Sequence, residues 1–198
     1  MIRFLIPMAL FLAIAGGCQP EPTSLTEAEQ TLLTRKGQDI VTEVATVLSS
    51  ALTKSIADGG VGKAAQYCSF IAVPLVDTLA VRHGVDVRRT SNRLRNAKNA
   101  PTDREREVLT QYEQQRAQGA QLQPLLEVID AHTVAYYQPI VVQPLCLQCH
   151  GKLGETLPEE NYSFIKYLYP NDEAIGYALD DVRGIWSMRM PRQASQNH

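Results

Sequence analysis

The stretch Val182-Arg183-Gly184-Ile185-Trp186-Ser187-Met188-Arg189-Met190 has the residue alternation of a β-strand. Successive side chains of a strand point to opposite faces of a sheet. One face here carries Val182, Gly184, Trp186, Met188 and Met190, and the other carries Arg183, Ser187 and Arg189. The stretch therefore predicts a strand that covers an apolar core.

Two further strands are predicted from their β-branched and aromatic residues, at 85–91 and 132–142. Helices are predicted before and between the strands, and this order favours an α+β domain with a small antiparallel sheet and long N-terminal helices. The first helix starts at the Ser24-x-x-Glu27 capping box and ends at Gly59-Gly60, the second covers about 62–83 with a kink at Pro74, and the third starts at Thr102.

The overall composition is that of an ordinary globular protein. The 198 residues include 19 Lys and Arg against 21 Asp and Glu, a formal net charge of −2. Nucleic-acid binding needs a basic excess to neutralise phosphates, so no nucleic-acid partner is expected. After residue 17 no continuous apolar run approaches the roughly 20 residues that cross a bilayer, and only a lipid anchor is expected to reach the membrane.

Residues 1–17 have the pattern of a secretion signal, with one positive side chain, a short apolar run and small residues at the end. Ala15-Gly16-Gly17-Cys18 resembles a bacterial lipobox, in which the cysteine carries the lipid. A soluble export signal with an incidental Cys18 is the alternative. We expect a signal peptide at 1–17, a tether at 18–23 and one domain at 24–198. The domain would lie on the periplasmic side of a bacterial membrane, and Gln19 favours the outer membrane.

Cys146-Leu147-Gln148-Cys149-His150-Gly151 contains C-x-x-C-H, the attachment sequence of a c-type haem. The two thiols can each add to one vinyl group of the haem, and the adjacent imidazole can bind the iron. The motif predicts one covalent haem c, with thioethers at Cys146 and Cys149 and His150 as the proximal iron ligand.

Three other uses of these residues compete with haem attachment. A thiol-disulfide pair expects a helix after a strand, whereas Gly151 and Gly154 follow the motif. A zinc site needs a fourth ligand, and the chain has no second C-x-x-C to supply it. A structural disulfide across two residues would be strained.

Cys68 lies on the apolar stripe of the second predicted helix. It is either a small buried hydrophobe or the distal iron ligand, because the stripe that buries it also points it at whatever the helix covers. The remaining histidines are interpreted as surface residues and the strand methionines as packing; these are His83, His132, His198, Met188 and Met190.

Two groups of side chains are left with open roles. A basic cluster is either a solvated face or supplies one or two guanidinium groups to the haem propionates; it comprises Arg88, Arg89, Arg93, Arg95 and Lys98. Four aromatic residues either form core or line a haem crevice; they are Tyr162, Tyr167, Tyr169 and Trp186.

A set of short motifs accompanies C-x-x-C-H: Tyr67-Cys68, Arg88-Arg89-Thr90-Ser91, Leu94-Arg95-Asn96, Asn99-Ala100-Pro101, Pro139-Ile140 and Tyr169-Pro170-x-Asp172, with Ala174, Gly176, Tyr177 and Gly184. In these residues the chain resembles a bacterial and cyanobacterial family of single-haem c-type proteins, catalogued as a domain of unknown function. The resemblance implies a PAS-like fold, thioethers at Cys146 and Cys149, proximal His150 and distal Cys68.

A histidine and a cysteine on the iron would have functional consequences. An anionic sulfur ligand stabilises ferric iron, and six-coordination leaves no position for a substrate, so an enzyme is not expected. We expect a redox or diatomic-gas sensor module. The alternative is a periplasmic electron-transfer cytochrome. Either function requires a redox or signalling protein partner.

Overall fold

The computed structural model describes residues 24–192. The predicted signal peptide, the tether with Cys18, and His198 lie outside the described residues. In chain order the elements are α1 (Glu27–Phe70), α2 (Ala72–His83), β1 (Asp86–Thr90), a 3-10 turn (Ala97–Asn99), α3 (Asp103–Ala117), β2 (Leu125–Val128), β3 (Thr133–Val141), α4 (Pro144–His150), α5 (Glu159–Leu168) and β4 (Val182–Pro191).

The four strands form one antiparallel sheet in the order β1-β4-β3-β2. Helices α1 and α2 pack on one face, where Tyr136, Trp186 and Met188 belong to the main core. Helix α3 packs on part of the other face, around Tyr137 and Ile185. The predicted α+β fold, with a small antiparallel sheet and long N-terminal helices, is confirmed.

The alternation of β4 is confirmed for its second half and wrong at its start. Trp186, Met188 and Met190 are buried in the core under α1 and α2, as predicted. Strict alternation places Val182 on their face, but it packs with Ile185 on the α3 side. The register shifts between Ile140 and Val141, and such a bulge reverses the facing of the residues beyond it.

The start of α1 differs from the prediction by two residues. The capping box is Thr26 with Glu29, not Ser24 with Glu27. Both pairs fit the S/T-x-x-E pattern, so the sequence alone does not separate them. Glu29 also pairs with Arg192 at 3.0 Å, a contact that Glu27 does not make.

The helix break predicted at Gly59-Gly60 is a kink within α1, and the break between α1 and α2 lies at Ile71. Gly59 and Gly60 leave helical geometry, Gly60 with φ of +69°, but the helix resumes and runs to Phe70. The chain then breaks at Ile71, and Pro74 lies in the first turn of α2. A proline there costs little, because the first turn of a helix leaves its N–H groups unpaired in any case.

Helix α1 is long and apolar enough to cross a membrane by length and composition. A core helix of a soluble protein passes the same test. Ile40, Val41, Val44 and Leu48 are buried in the core that α1 shares with the sheet. One face of α1 therefore packs in this core, and 22% of its apolar window is buried.

The stability of the N-terminal end should depend on pH through Glu29. Its carboxylate accepts hydrogen bonds from Arg192 and from the Thr26 N–H, and these hold its pKa at about 2, below the usual 4.5. A lowered folded-state pKa gives stabilisation that is present above the unfolded pKa and is lost as pH falls toward 2. The difference in urea midpoint between wild type and Glu29→Gln should therefore be largest at neutral pH and shrink toward pH 2. A pH-independent difference would contradict this, and Glu27→Gln is the matched control.

Candidate functional site

The C-x-x-C-H motif forms a short helix, α4, directly after β3. Pro144 occupies its first turn, and the Cys146 sulfur accepts a hydrogen bond from the Gln143 N–H at 3.4 Å. A helix does follow the strand here, so the local-structure argument against a thiol-disulfide pair is wrong. Burial raises the pKa of the Cys149 thiol to about 11, however, which is opposite to the lowering that activates redox thiols.

His150 is held in the form that can bind a metal. Its Nδ1–H donates to the Ala174 carbonyl at 2.7 Å, which leaves the Nε2 lone pair free. Burial, with the charges of Arg183 and Arg95, lowers the pKa of His150 well below its usual value, so the ring is neutral. The Tyr177 ring meets it edge-on at 6.3 Å.

Residues 172–177 form a backbone support for His150. The Gly176 N–H donates to the Gly151 carbonyl at 2.8 Å, and the Tyr177 N–H donates to the His150 carbonyl at 3.0 Å. Together with the bond to Ala174, these contacts fix both the main chain and the ring of His150. The 172–177 segment therefore sets the direction in which Nε2 points.

A buried ion pair connects this segment to the motif. The Arg95 guanidinium donates to both oxygens of Asp172, each at 3.1 Å, and to the Cys149 carbonyl at 2.5 Å. The Asp172 side chain is fully buried and also accepts from the Ala174 N–H at 3.0 Å. One bidentate pair thus holds the backbone of Cys149 and the backbone of Ala174 at the same time.

Cys68 lies in the last turn of α1 and is half-buried. Burial raises the pKa of its thiol, and the charges of Arg89 and Arg95 oppose that rise. Cys68 in turn acts electrostatically on Cys149, and the preceding turns of α1 pack against the cluster that includes Cys149. The structure therefore brings Cys68 to the same side of the molecule as the motif.

The other described histidines and the methionines lie elsewhere. His83 bonds to Glu43 at 2.8 Å where α2 meets α1. His132 is an exposed residue in the turn before β3. Met188 and Met190 are buried between the sheet and the helices. Their predicted roles as surface residues and packing agree with these positions.

The four aromatic candidates divide between the site and other places. Tyr162 and Tyr169 pack in the cluster that includes Cys149. Tyr167 is 85% exposed, and Trp186 belongs to the core under α1 and α2. Only Tyr162 and Tyr169 lie next to the motif, so only these two are placed where they could line a haem crevice.

The basic cluster is split by the strand β1. Arg88 faces away from the site, where it bonds to the Ala100 carbonyl at 2.7 Å and pairs with Glu105. Lys98 is exposed. Arg89 and Arg95 face the site, and Arg93 lies over the Tyr177 ring at 3.6 Å.

Arg183 is a site residue that strict alternation along β4 places on a polar outer face. Its Nη1 donates to the Ser91 hydroxyl at 2.8 Å, and it is the charge that acts most strongly on His150. The bulge near the start of β4 gives it this direction. No signal in a single sequence marks such a bulge.

The fold and the site define an α+β protein in which a C-x-x-C-H motif and a helix cysteine lie on the same side of the molecule. The model of the Tll0287-like family matches residues 23–191, and the chain belongs to this family. The resemblance carried by the motifs is thereby confirmed. Among solved structures, the crystal structure of the cyanobacterial heme-protein Tll0287 is similar, with a TM-score of 0.56 and 23% identity over 86% of this chain and 100% of that chain. That likeness shows a shared fold. No curated protein matches the chain.

Proposed function

We propose that this chain is an exported, lipid-anchored protein with one covalent haem c, and that it acts as a redox or diatomic-gas sensor module. The observation that carries the proposal is the state of His150, which directly follows the second thiol of the motif: its Nδ1–H donates to the Ala174 carbonyl, so Nε2 carries the lone pair. The cyanobacterial protein of similar structure is a heme-protein, which supports the same cofactor here.

The residues of the site fit a haem by their chemistry. Cys146 and Cys149 are free thiols one turn apart on α4, as two thioether bonds require. A neutral His150 can serve as the proximal ligand, and Cys68 supplies a sulfur on the same side of the molecule as the motif. When bound, the haem supplies a one-electron iron couple that a sulfur ligand tunes to low potential.

The sensing function depends on the Cys68 bond. Reduction of the iron would weaken its bond to the Cys68 thiolate. Release of Cys68 would then allow CO, NO or O₂ to bind, and the oxidised form would keep Cys68 bound. Because His150 and Cys68 would both bind the iron in the resting state, we expect no enzymatic activity. A signalling or redox partner protein would read the state of the iron, and Cys18 would hold the domain at the periplasmic face of the membrane, with the outer membrane favoured.

The test is spectroscopy of the full-length protein made in a host with the haem-attachment machinery. We expect a pyridine haemochrome spectrum of haem c that survives denaturation, with one haem per chain by intact mass. Cys146→Ala with Cys149→Ala should lose the covalent haem, and Cys68→Ala should keep it. A wild-type protein without covalent haem would overturn the proposal.

A CO titration of the reduced protein separates the sensor from the electron carrier. The sensor proposal expects CO to bind and change the ferrous spectrum. An unchanged six-coordinate spectrum under CO at mildly acid pH would instead favour a periplasmic electron-transfer cytochrome.

A further inference from the structure

The arginines around the site differ in whether a carboxylate balances their charge. Arg95 has Asp172. Arg89, Arg93 and Arg183 have no Asp or Glu within ion-pair distance in residues 24–192. Arg93 is exposed and lies over the Tyr177 ring, so solvent can stabilise it. Arg89 and Arg183 are the two less exposed cations that remain.

Arg183 has an unsatisfied donor. Its Nε is fully buried and has no hydrogen-bond partner within the described chain. Its other contacts are neutral: the Ser91 hydroxyl at 2.8 Å, the Arg93 carbonyl at 3.4 Å and the Tyr177 ring at 5.2 Å. A buried guanidinium N–H without an acceptor destabilises the fold unless a ligand supplies that acceptor. A carboxylate forms the strongest hydrogen bonds with a guanidinium.

Arg89 lies where a charge would reach both proposed iron ligands. It pairs with Trp186 in the β1–β4 register and lies over that ring at 5.5 Å. Its guanidinium has no hydrogen bond or ion pair with the residues that the structure covers. Its charge acts on Cys68 and on His150. Arg89 is therefore close enough to both groups for its charge to act on each of them.

We propose that Arg89 and Arg183 bind the two propionate carboxylates of the haem. This inference rests on the proposed function. Five basic residues were candidates for this role from the sequence. Two of them, Arg88 and Arg95, are paired with carboxylates, and two others, Arg93 and Lys98, are exposed. Arg89 remains as a candidate, and the structure adds Arg183. Each guanidinium can present two parallel N–H groups to a carboxylate.

The test replaces each arginine in the full-length haem protein and measures three properties: haem stoichiometry, reduction potential and the propionate bands in resonance Raman spectra. Arg89→Gln and Arg183→Gln should keep the covalent haem, since the thioethers are untouched. Each should shift the propionate bands. Each should also lower the reduction potential by about 59 mV, because a cation that favours the reduced iron is lost. For a one-electron couple this raises the ferric-to-ferrous ratio about tenfold at a fixed solution potential.

Two further variants keep the test decisive. Arg189→Gln removes the same charge from β4 at an exposed position on the other side of the sheet and should change neither the bands nor the potential. Arg183→Lys keeps the charge but loses the bidentate geometry, so it should shift the bands with a smaller change in potential. It also replaces Arg183→Gln if that variant does not fold.

The outcomes distinguish this inference from the proposed function. Covalent haem with unchanged bands and potential in both Gln variants overturns the propionate assignment and leaves the haem protein standing. A wild-type chain that carries no haem overturns both.

Discussion

Replacing Arg95 by methionine should lower the free energy of unfolding by about 3–5 kcal/mol, the usual cost of removing one partner from a buried ion pair. The Asp172 side chain is fully buried and that of Arg95 is 14% exposed. Without the guanidinium, the carboxylate would stay in the interior, and among residues 24–192 the Ala174 N–H would be its remaining hydrogen-bond donor. Urea unfolding followed by circular dichroism measures the change.

The double variant Arg95→Met with Asp172→Asn is the control. It removes the uncompensated charge, so it should recover a substantial part of the lost stability, although the bond from Arg95 to the Cys149 carbonyl stays broken. A loss below about 1 kcal/mol in the single variant would mean that the pair behaves like an exposed one. In that case the link between the motif and the 172–177 segment would not stabilise the fold.

Replacing Cys68 by alanine should abolish the low-spin ferric electron paramagnetic resonance signal of a histidine- and sulfur-ligated haem. The turns of α1 that precede Cys68 pack in the cluster that includes Cys149, and alanine leaves no sulfur to bind the iron. Methionine at the same position keeps a sulfur but removes its negative charge. Cys68→Met should therefore raise the reduction potential, because the ferric form loses an anionic ligand.

Gln66→Ala is the matched control for these variants, since Gln66 is exposed on the same turn of α1. It should leave the spectrum and the potential unchanged. If Cys68→Ala keeps the wild-type ferric signal, Cys68 is a packing residue and not an iron ligand. The proposal that its release allows sensing would then be contradicted.

Local signals made much of the fold predictable. Three local signals are present in the structure: the alternation in the second half of β4, the β-rich stretch of β3 and the Thr102-x-x-Glu105 capping box. Each depends only on neighbouring residues. Elements with weak local signals were missed. Strand β2 has only four residues, and α4 has seven and follows directly on β3.

The candidate site was predictable where its chemistry lies in one short motif. Cys146, Cys149 and His150 are adjacent in sequence, whereas Arg95 and Asp172 are separated by 77 positions and meet only in the fold. Cys68 shows an intermediate case. Its apolar stripe left two interpretations open, and the structure brings Cys68 to the same side of the molecule as Cys149.

The dependence on residues distant in sequence also explains why the sequence pattern predicts the wrong surroundings for Arg183. Strict alternation along β4 places it on an outer polar face, and that rule holds only for a regular strand. The register shift opposite Ile140 and Val141 breaks the alternation. Such irregularities depend on the partner strand, so the residues of β4 alone do not reveal them.

X-ray diffraction from crystals of the haem-loaded protein, collected on both sides of the iron absorption edge, tests the central claim most directly. We expect one anomalous peak per chain, within bonding distance of Nε2 of His150 on one side and of the sulfur of Cys68 on the other. An iron peak bound by other residues, or no iron peak in a correctly folded chain, would contradict the account.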